Sequence, residues 1–154
     1  GAAETLEKVR PLLASFSEKV DHVGPLSHGH RLKLLHNYVS VGFMTLLAEA
    51  AAQASDAGVD PQTFVDVLAN GGGASAALDR LAPYIVEQDR EGLSFFVSNA
   101  LKDIDYYRDM SKASGARQTV ADGVALALKA PVEAGHGDAY VPELVRLFSK
   151  NEQD

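Results

Sequence analysis

The chain has 154 residues and 46% hydrophobic content, which is enough to bury the core of one domain of ordinary size. Its 14 Lys and Arg residues against 21 Asp and Glu residues give a net charge of -7. That charge excludes the basic surface needed for sequence-independent nucleic-acid binding. We expect neither a membrane span nor a signal peptide, and no cysteine is present to form disulfides, thiolate zinc sites or a cysteine nucleophile. These features predict a cytoplasmic protein.

Residues 1–23 are expected to form a helix followed by a short strand. Apolar residues recur at helical spacing from Leu6 to Phe16, and Lys19–Val23 then alternates before Gly24 ends the pattern. A single strand cannot satisfy its ladder hydrogen bonds alone. We therefore interpret 1–23 as the tail end of another domain, and 24–154 as a separate helical domain.

Residues Gly29–Ala57 predict one long helix of about 43 Å, because they contain no proline and consist of good helix formers. Gly58 supplies the residue that ends it. The first half of this helix is polar and rich in histidine. The second half is rich in alanine, which is small enough for another helix to pack closely.

Start and stop signals divide the rest of the chain into shorter helices. Asp60 and Pro61 suit the N-cap and first position of one helix, Ser94 is expected to cap another, and Gly115 to end it. The predicted helices cover 61–70, Ser75–Gln88, 95–114, 118–133 and a last segment that begins at Pro142. The fold class that follows is all-α, a helical bundle around one long central helix.

The start of the long helix carries the most informative side chains. His30, Lys33 and Asn37 share one face at i, i+3 and i+7, with His36 about 60° to one side. Lys33 and Asn37 can therefore contact one ligand, and a lysine beside imidazoles can serve as a general acid or base. From periodicity alone, the ordinary explanation of the same pattern is a plain solvated helix surface. The histidines lack a carboxylate at i+4, so we expect no metal site.

Two further features have simple structural explanations. Lys102 and Asp103 lie inside an otherwise apolar helix, where an ion pair between them is expected. Three consecutive glycines, 71–73, predict a turn between helices. They have no strand before them and no Lys-Ser/Thr after them, so they do not predict a phosphate-binding loop.

The segment G-H-R-L-K-L-L-H-N, from Gly29 to Asn37, resembles the catalytic-helix motif G-x-G-x-x-x-K-x-x-N-N of the β-hydroxyacid dehydrogenases. AGVDPQTFVDVL resembles the family's "GLDP" helix start, and ALKDIDYYRDMSKASG its "KDL…A…G" helix. HGDAYVPELVRLF is similar to the closing stretch, and KVDHVGP to the last Rossmann strand and its exit. Members of this family combine an NAD(P)-binding Rossmann domain with a helical domain.

This resemblance implies a role for each matching residue. Lys33 corresponds to the catalytic lysine, and Lys102 to the lysine that reaches toward the cofactor. The implied substrate-binding residues are Gly29, His36 and Asn37. The implied cofactor is NAD or NADP and the implied substrate a small hydroxyacid or its semialdehyde, in a homodimer or tetramer.

The G-x-G-x-x-G fingerprint of a dinucleotide-binding domain does not occur in these residues. The cofactor would therefore be held mainly by a Rossmann domain outside them, and we expect this chain alone to be inactive.

The chain departs from the family motif at two positions. Ser27 replaces the first glycine, and His36 stands where the family has asparagine. The motif K-x-x-H-N also occurs in 6-phosphogluconate dehydrogenase. That enzyme has an acidic residue seven positions after the lysine, whereas this chain has Ser40 at the corresponding position. Two alternatives stay open: a decarboxylating relative of that enzyme, and a non-catalytic helical dimerisation module.

Overall fold

The structure is a computed structural model that describes residues 1–150. These residues form seven α-helices and no β-strand, which confirms the all-α fold class. The helices are α1 (Ala3–Leu13), α2 (His28–Asp56), α3 (Pro61–Ala69), α4 (Ala76–Glu87), α5 (Val97–Ser114), α6 (Thr119–Pro131) and α7 (Leu144–Leu147). None of the helices in this part of the chain is both long and apolar enough to cross a membrane.

Helix α2 lies at the centre of the bundle and contacts each of the helices from α3 to α7. It begins and ends within one residue of the predicted bounds, so the long central helix is confirmed. Gly58 ends it with a φ of +74°, a conformation that glycine adopts without steric cost. The next residue, Val59, donates its backbone N–H to the carbonyl of Ala54 at 2.9 Å.

The alanine-rich half of α2 packs inside the chain. Ala48 and Ala52 are fully buried and Ala51 is 3% exposed, in a core that includes Leu81 of α4 and Ile104 of α5. These small side chains let neighbouring helices approach α2 closely. They are therefore unavailable for contacts with another molecule.

The predicted starts of α3 and α4 are confirmed. The carboxylate of Asp60 accepts a hydrogen bond from the backbone N–H of Thr63 at 2.8 Å, and this bond lowers the pKa of that carboxyl. The Ser75 hydroxyl accepts in the same way from the N–H of Leu78 at 3.2 Å. Both contacts are local, which is why the sequence alone predicts them.

The predicted start of α5 at Ser94 is wrong. The helix begins at Val97, and the preceding residues pair with a distant extended segment: the Val141 N–H donates to the Phe95 carbonyl at 2.8 Å. The N–H of Val97 donates to the Ala139 carbonyl at 2.9 Å. Because this pairing satisfies the backbone through long-range bonds, the side chain of Ser94 is not needed as a cap.

The predicted strand Lys19–Val23 is also wrong, because these residues are not in a strand. No extended segment within residues 1–150 lies alongside them to supply ladder hydrogen bonds. The preceding helix α1 is present but has no buried residue, and its Leu12 is 66% exposed. Phe16, which lies three residues after the end of α1, is 74% exposed. The boundary between 1–23 and 24–154 remains a prediction.

The C-terminal segment is only partly helical. A short 3-10 turn at Val141–Glu143 leads into the four-residue helix α7, and the last residues of the predicted final helix lie outside the described residues. The chain after α7 returns to the end of α2. There the Asp56 carboxylate accepts from the Ser149 hydroxyl at 2.5 Å and from the Lys150 N–H at 3.1 Å.

Two leucines on α6 allow a test of which side of this helix faces the core. Leu128 is fully buried, whereas Leu126, two residues earlier on the same helix, is 72% exposed. We expect Leu128→Ala to lower the free energy of unfolding by about 2–5 kcal/mol, since it leaves a cavity. Leu126→Ala should change it by less than about 0.5 kcal/mol. Urea unfolding followed by circular dichroism measures both values, and equal losses would contradict this orientation of α6.

Candidate active site

The central feature of the site is a buried carboxylate where α2 crosses α5. Asp103 is 8% exposed, and its Oδ2 accepts a hydrogen bond from Nδ2 of Asn37 at 2.9 Å. Its other oxygen, Oδ1, lies 3.5 Å from the ammonium of Lys102. The two oxygens of one carboxylate therefore hold an amide from α2 and an ammonium from α5.

This arrangement fixes the orientation of the Asn37 side chain. A carboxylate only accepts hydrogen bonds, so Asn37 must direct its NH₂ group toward Asp103. Its Oδ1 then points away from the carboxylate and lies 3.5 Å from Nδ1 of His36, at the limit of a hydrogen bond. The amide oxygen remains available to accept a stronger hydrogen bond from a ligand.

An aromatic pair strengthens the same helix crossing. The rings of Tyr38 and Tyr107 stack with centroids 4.0 Å apart and an interplanar angle of 9°. Tyr38 follows Asn37 on α2, and Tyr107 lies one turn after Asp103 on α5. Burial raises the pKa of the Tyr38 hydroxyl, and the neighbouring Tyr107 raises it further, so the phenol stays protonated at neutral pH.

Lys33 lies one turn before Asn37 on the same side of α2. Its side chain is exposed and makes no hydrogen bond or ion pair with residues 1–150. The three N–H donors of its ammonium are therefore free to act on a ligand next to the Asn37 amide.

The start of α2 has few contacts of its own. Ser27 precedes it with a φ of +72° and gives no side-chain cap, and the first turn has no acidic residue. A Cβ at Gly29 would contact only Val23, at 3.8 Å, so no close packing within the described residues requires a glycine there. Nδ1 of His28 lies 3.5 Å from the Leu26 carbonyl. Within residues 1–150 no three His, Asp or Glu side chains converge as a metal site would require.

Sequence reasoning identified most of these positions but missed one role. Asn37 and Lys102 do come together, and the residue that joins them is Asp103, which was expected to pair with Lys102 alone. The only sequence signal for Asp103 was its position next to Lys102. The second partner of Asp103, Asn37, is 66 residues away and could not be found from spacing. His36 lies beside Asn37, while Lys33 and Gly29 make no polar contact with the other site residues.

A protein-family model described as NAD-binding of NADP-dependent 3-hydroxyisobutyrate dehydrogenase matches residues 27–148. Among curated proteins, the chain is 34% identical over 113 residues to an uncharacterized oxidoreductase of Synechocystis sp., covering 73% of this chain and 38% of that protein. It is 26% identical over 150 residues to the L-threonate dehydrogenase of Haemophilus influenzae, covering 97% of this chain and 50% of the relative.

The fold is also found in a solved structure, that of 3-hydroxyisobutyrate dehydrogenase from Salmonella typhimurium. The TM-score is 0.86 at 21% identity, covering 96% of this chain and 52% of the other. The chain thus spans about half the length, or less, of the proteins it matches.

A double-mutant cycle tests the bond between Asn37 and Asp103. We expect the free energies of unfolding of Asn37→Ala, Asp103→Ala and the double variant to show a coupling of about 1 kcal/mol or more, since the bond involves a buried charge. The control cycle pairs Asn37→Ala with Asp105→Ala, because Asp105 lies on α5 but binds Arg108. A coupling for Asn37 and Asp103 no larger than the control value would contradict the contact.

Proposed function

The chain belongs to the β-hydroxyacid dehydrogenase family, and from that premise we propose that it carries the proton-transfer half of an NAD(P)-dependent oxidoreductase. The proposed reaction interconverts a small β-hydroxyacid with its semialdehyde or keto form. Lys33 acts as the general acid/base, and Gly29, His36 and Asn37 contact the substrate. We place this activity in the cytoplasm.

The observation that carries the proposal is the hydrogen bond that holds the Asn37 side chain in one orientation. The buried Asp103 carboxylate holds the Asn37 NH₂ group at 2.9 Å, while Lys33, one turn away, keeps its ammonium unpaired among the described residues. A rigidly held amide next to a free proton donor is the arrangement needed to orient a hydroxyl or carbonyl oxygen and to protonate it. A solvated helix surface would not require a buried carboxylate to orient its asparagine.

The chemistry that a nicotinamide supplies when bound is hydride transfer to or from the substrate carbon. In the reducing direction, Lys33 donates a proton to the substrate oxygen as negative charge develops on it. In the oxidising direction, neutral Lys33 accepts the proton of the hydroxyl. The NH₂ group of Asn37 has two N–H donors and uses one of them on Asp103, so the other donates to the substrate oxygen and orients it without adding charge.

The residues of this chain fit an anionic cofactor or substrate group at Lys102. Its side chain is 50% exposed, and its 3.5 Å contact with Asp103 leaves donors of the ammonium free. A phosphate or carboxylate beside the α2–α5 crossing would meet this positive charge. Because the dinucleotide fingerprint is not found in these residues, we propose that a Rossmann domain, of which 1–23 is the tail end, makes most cofactor contacts.

The substrate class rests on the chemistry that the relatives' names share. Both 3-hydroxyisobutyrate and L-threonate are carboxylates with a hydroxyl on the β-carbon. The backbone amides at the start of α2, from Gly29 onward, suit the carboxylate of such a substrate, since no acidic residue occupies the first turn. Lys33 then lies one turn further along the helix, toward the hydroxyl end of the molecule.

A second candidate is a non-catalytic helical dimerisation module. The observation that favours it is a row of exposed apolar residues on α2, which includes Leu32 and Leu46 at 49% and 65% exposure. Soluble monomers rarely expose continuous apolar surface of this kind. Self-association is compatible with the dehydrogenase as well, and we include a homodimer or tetramer in the proposal.

Replacing Lys33 tests the enzymatic proposal in the protein that carries this chain and binds the dinucleotide. We expect Lys33→Ala to lower kcat/KM about 10²–10⁴-fold, because the general acid is lost. Lys33→Arg should restore little, since a guanidinium does not give up its proton. Steady-state oxidation of 3-hydroxyisobutyrate, L-threonate and related β-hydroxyacids with NAD⁺ and NADP⁺ measures the change.

Lys112→Ala is the matched control, because Lys112 is an exposed lysine near the end of α5, away from the helix crossing. It should retain wild-type turnover. If Lys33→Ala also retained it, Lys33 would not be the acid. If the wild-type protein turned over none of these substrates, the dimerisation module would become the better explanation.

A further inference from the structure

An exposed apolar stripe runs along the first two thirds of α2. It consists of Leu32, Leu35, Val39, Phe43 and Leu46, which are 43% to 65% exposed. At 100° per residue these side chains lie within a sector of about 80°. The buried side of the same helix, with Val41, Met44 and Ala48, faces the opposite direction. Helix α2 therefore has two apolar sides, and only one of them is covered by residues 1–150.

Charged residues are placed only at the two ends of this stripe. Between positions 34 and 48 the helix has no Asp, Glu, Lys or Arg. Arg31 precedes the stripe and Glu49 follows it, five helical turns or about 27 Å apart, so both lie along the same edge of the stripe. Both are exposed, and neither forms an ion pair within the described residues.

From this charge pattern we infer that a second copy of this chain packs antiparallel on the stripe, about a two-fold axis near Val39. In an antiparallel helix pair, the same edge of each helix faces its copy, so Arg31 of each chain would meet Glu49 of the other. The midpoint of Arg31 and Glu49 is residue 40, and the midpoint of Leu32 and Leu46 is residue 39. A single two-fold axis therefore pairs Arg31 with Glu49 and Leu32 with Leu46 across the interface. A two-fold dimer requires a surface that is complementary to itself in this way.

The shape of the surface fits a partner helix. Beside the stripe, α2 and α6 enclose an apolar groove of about 490 Å³, whose walls include Val120 and Val124. Gly42 and Gly123 also line the groove and leave room for large side chains of the partner. In the antiparallel register set by the axis near Val39, Leu35 of the second copy lies opposite Phe43 and Leu32 lies opposite Leu46, so these two leucines lie beside the groove.

The proposed active site leaves this surface free. Lys33 and Asn37 point about 120° or more around α2 from Val39. A nucleotide-binding domain can therefore contact Lys33 and Lys102 without covering the stripe. The inference depends on the proposed self-association but not on the proposed chemistry, and its tests use no activity measurement.

Sedimentation velocity of the full chain gives the first test. We expect a dimer at about 100 µM protein, and Val39→Glu should weaken it by more than about 100-fold, because it places two carboxylates beside the axis in an apolar contact. Val67→Glu is the matched control, since Val67 is an equally accessible valine, 67% exposed, on α3. A wild-type monomer at this concentration, or a dimer insensitive to Val39→Glu, would overturn the inference.

Charge reversal tests the antiparallel orientation. Arg31→Glu and Glu49→Arg should each weaken the dimer about tenfold, because symmetry creates two like-charge pairs per dimer. The double variant restores both pairs with the charges exchanged and should return to within about threefold of wild type. Failure of the double variant to recover would exclude this pairing, whatever the single variants do.

A cysteine at the axis gives an independent measurement that needs no change in affinity. The chain has no native cysteine, so Val39→Cys introduces a single thiol. Helices packed 8–10 Å apart bring facing Cα atoms to about 3.5–5.5 Å, which overlaps the range for a disulfide. Mild oxidation should yield a covalent dimer for Val39→Cys and only monomer for Val67→Cys on a denaturing gel. Equal yields from the two variants would overturn the inference.

Discussion

The buried carboxylate of Asp103 is the constraint on which the arrangement of the candidate site depends. An ionised carboxylate removed from water is stable only when donors satisfy it, and the loss of one partner costs far more than a surface ion pair contributes. Asp103 therefore requires Asn37 on one oxygen and Lys102 near the other. Because the two partners come from α2 and α5, satisfying one charge sets the register of the two helices that carry the site.

Helix α2 serves three purposes. One side supplies the core with small and branched side chains such as Val41 and Ala48. Earlier along the helix the same side presents Lys33 and Asn37 to the proposed substrate, and the opposite side exposes the apolar stripe. A helix of 29 residues, buried on only one side, is long enough to separate these surfaces. The proposed dimer would therefore stabilise the helix that carries Lys33, the proposed general acid/base, without covering that lysine.

The exposure of Lys33 also bears on how the proposed enzyme would work. A general acid acts most effectively in a site from which water is excluded, and electrostatic interactions are stronger there. Among the described residues nothing covers Lys33, so in the proposed reaction that surface must come from elsewhere, such as the nucleotide-binding domain. Proton transfer and closure of the site would then depend on the same contact between domains.

Local signals in the sequence determined the helical fold and the choice of most candidate site residues. Gly58, Asp60 and Ser75 mark helix ends because each acts on backbone groups within a few residues, and the motif from Gly29 to Asn37 identified Lys33 and Asn37. The tertiary structure alone decided the features that need a distant partner. Residues 95–96 pair with the segment around Tyr140 instead of starting a helix, and Lys19–Val23 finds no strand to pair with. Asp103 orients Asn37 across 66 residues of sequence. Periodicity reports which side of an element is apolar, but not which distant group it will meet, and that is settled only when the helices pack.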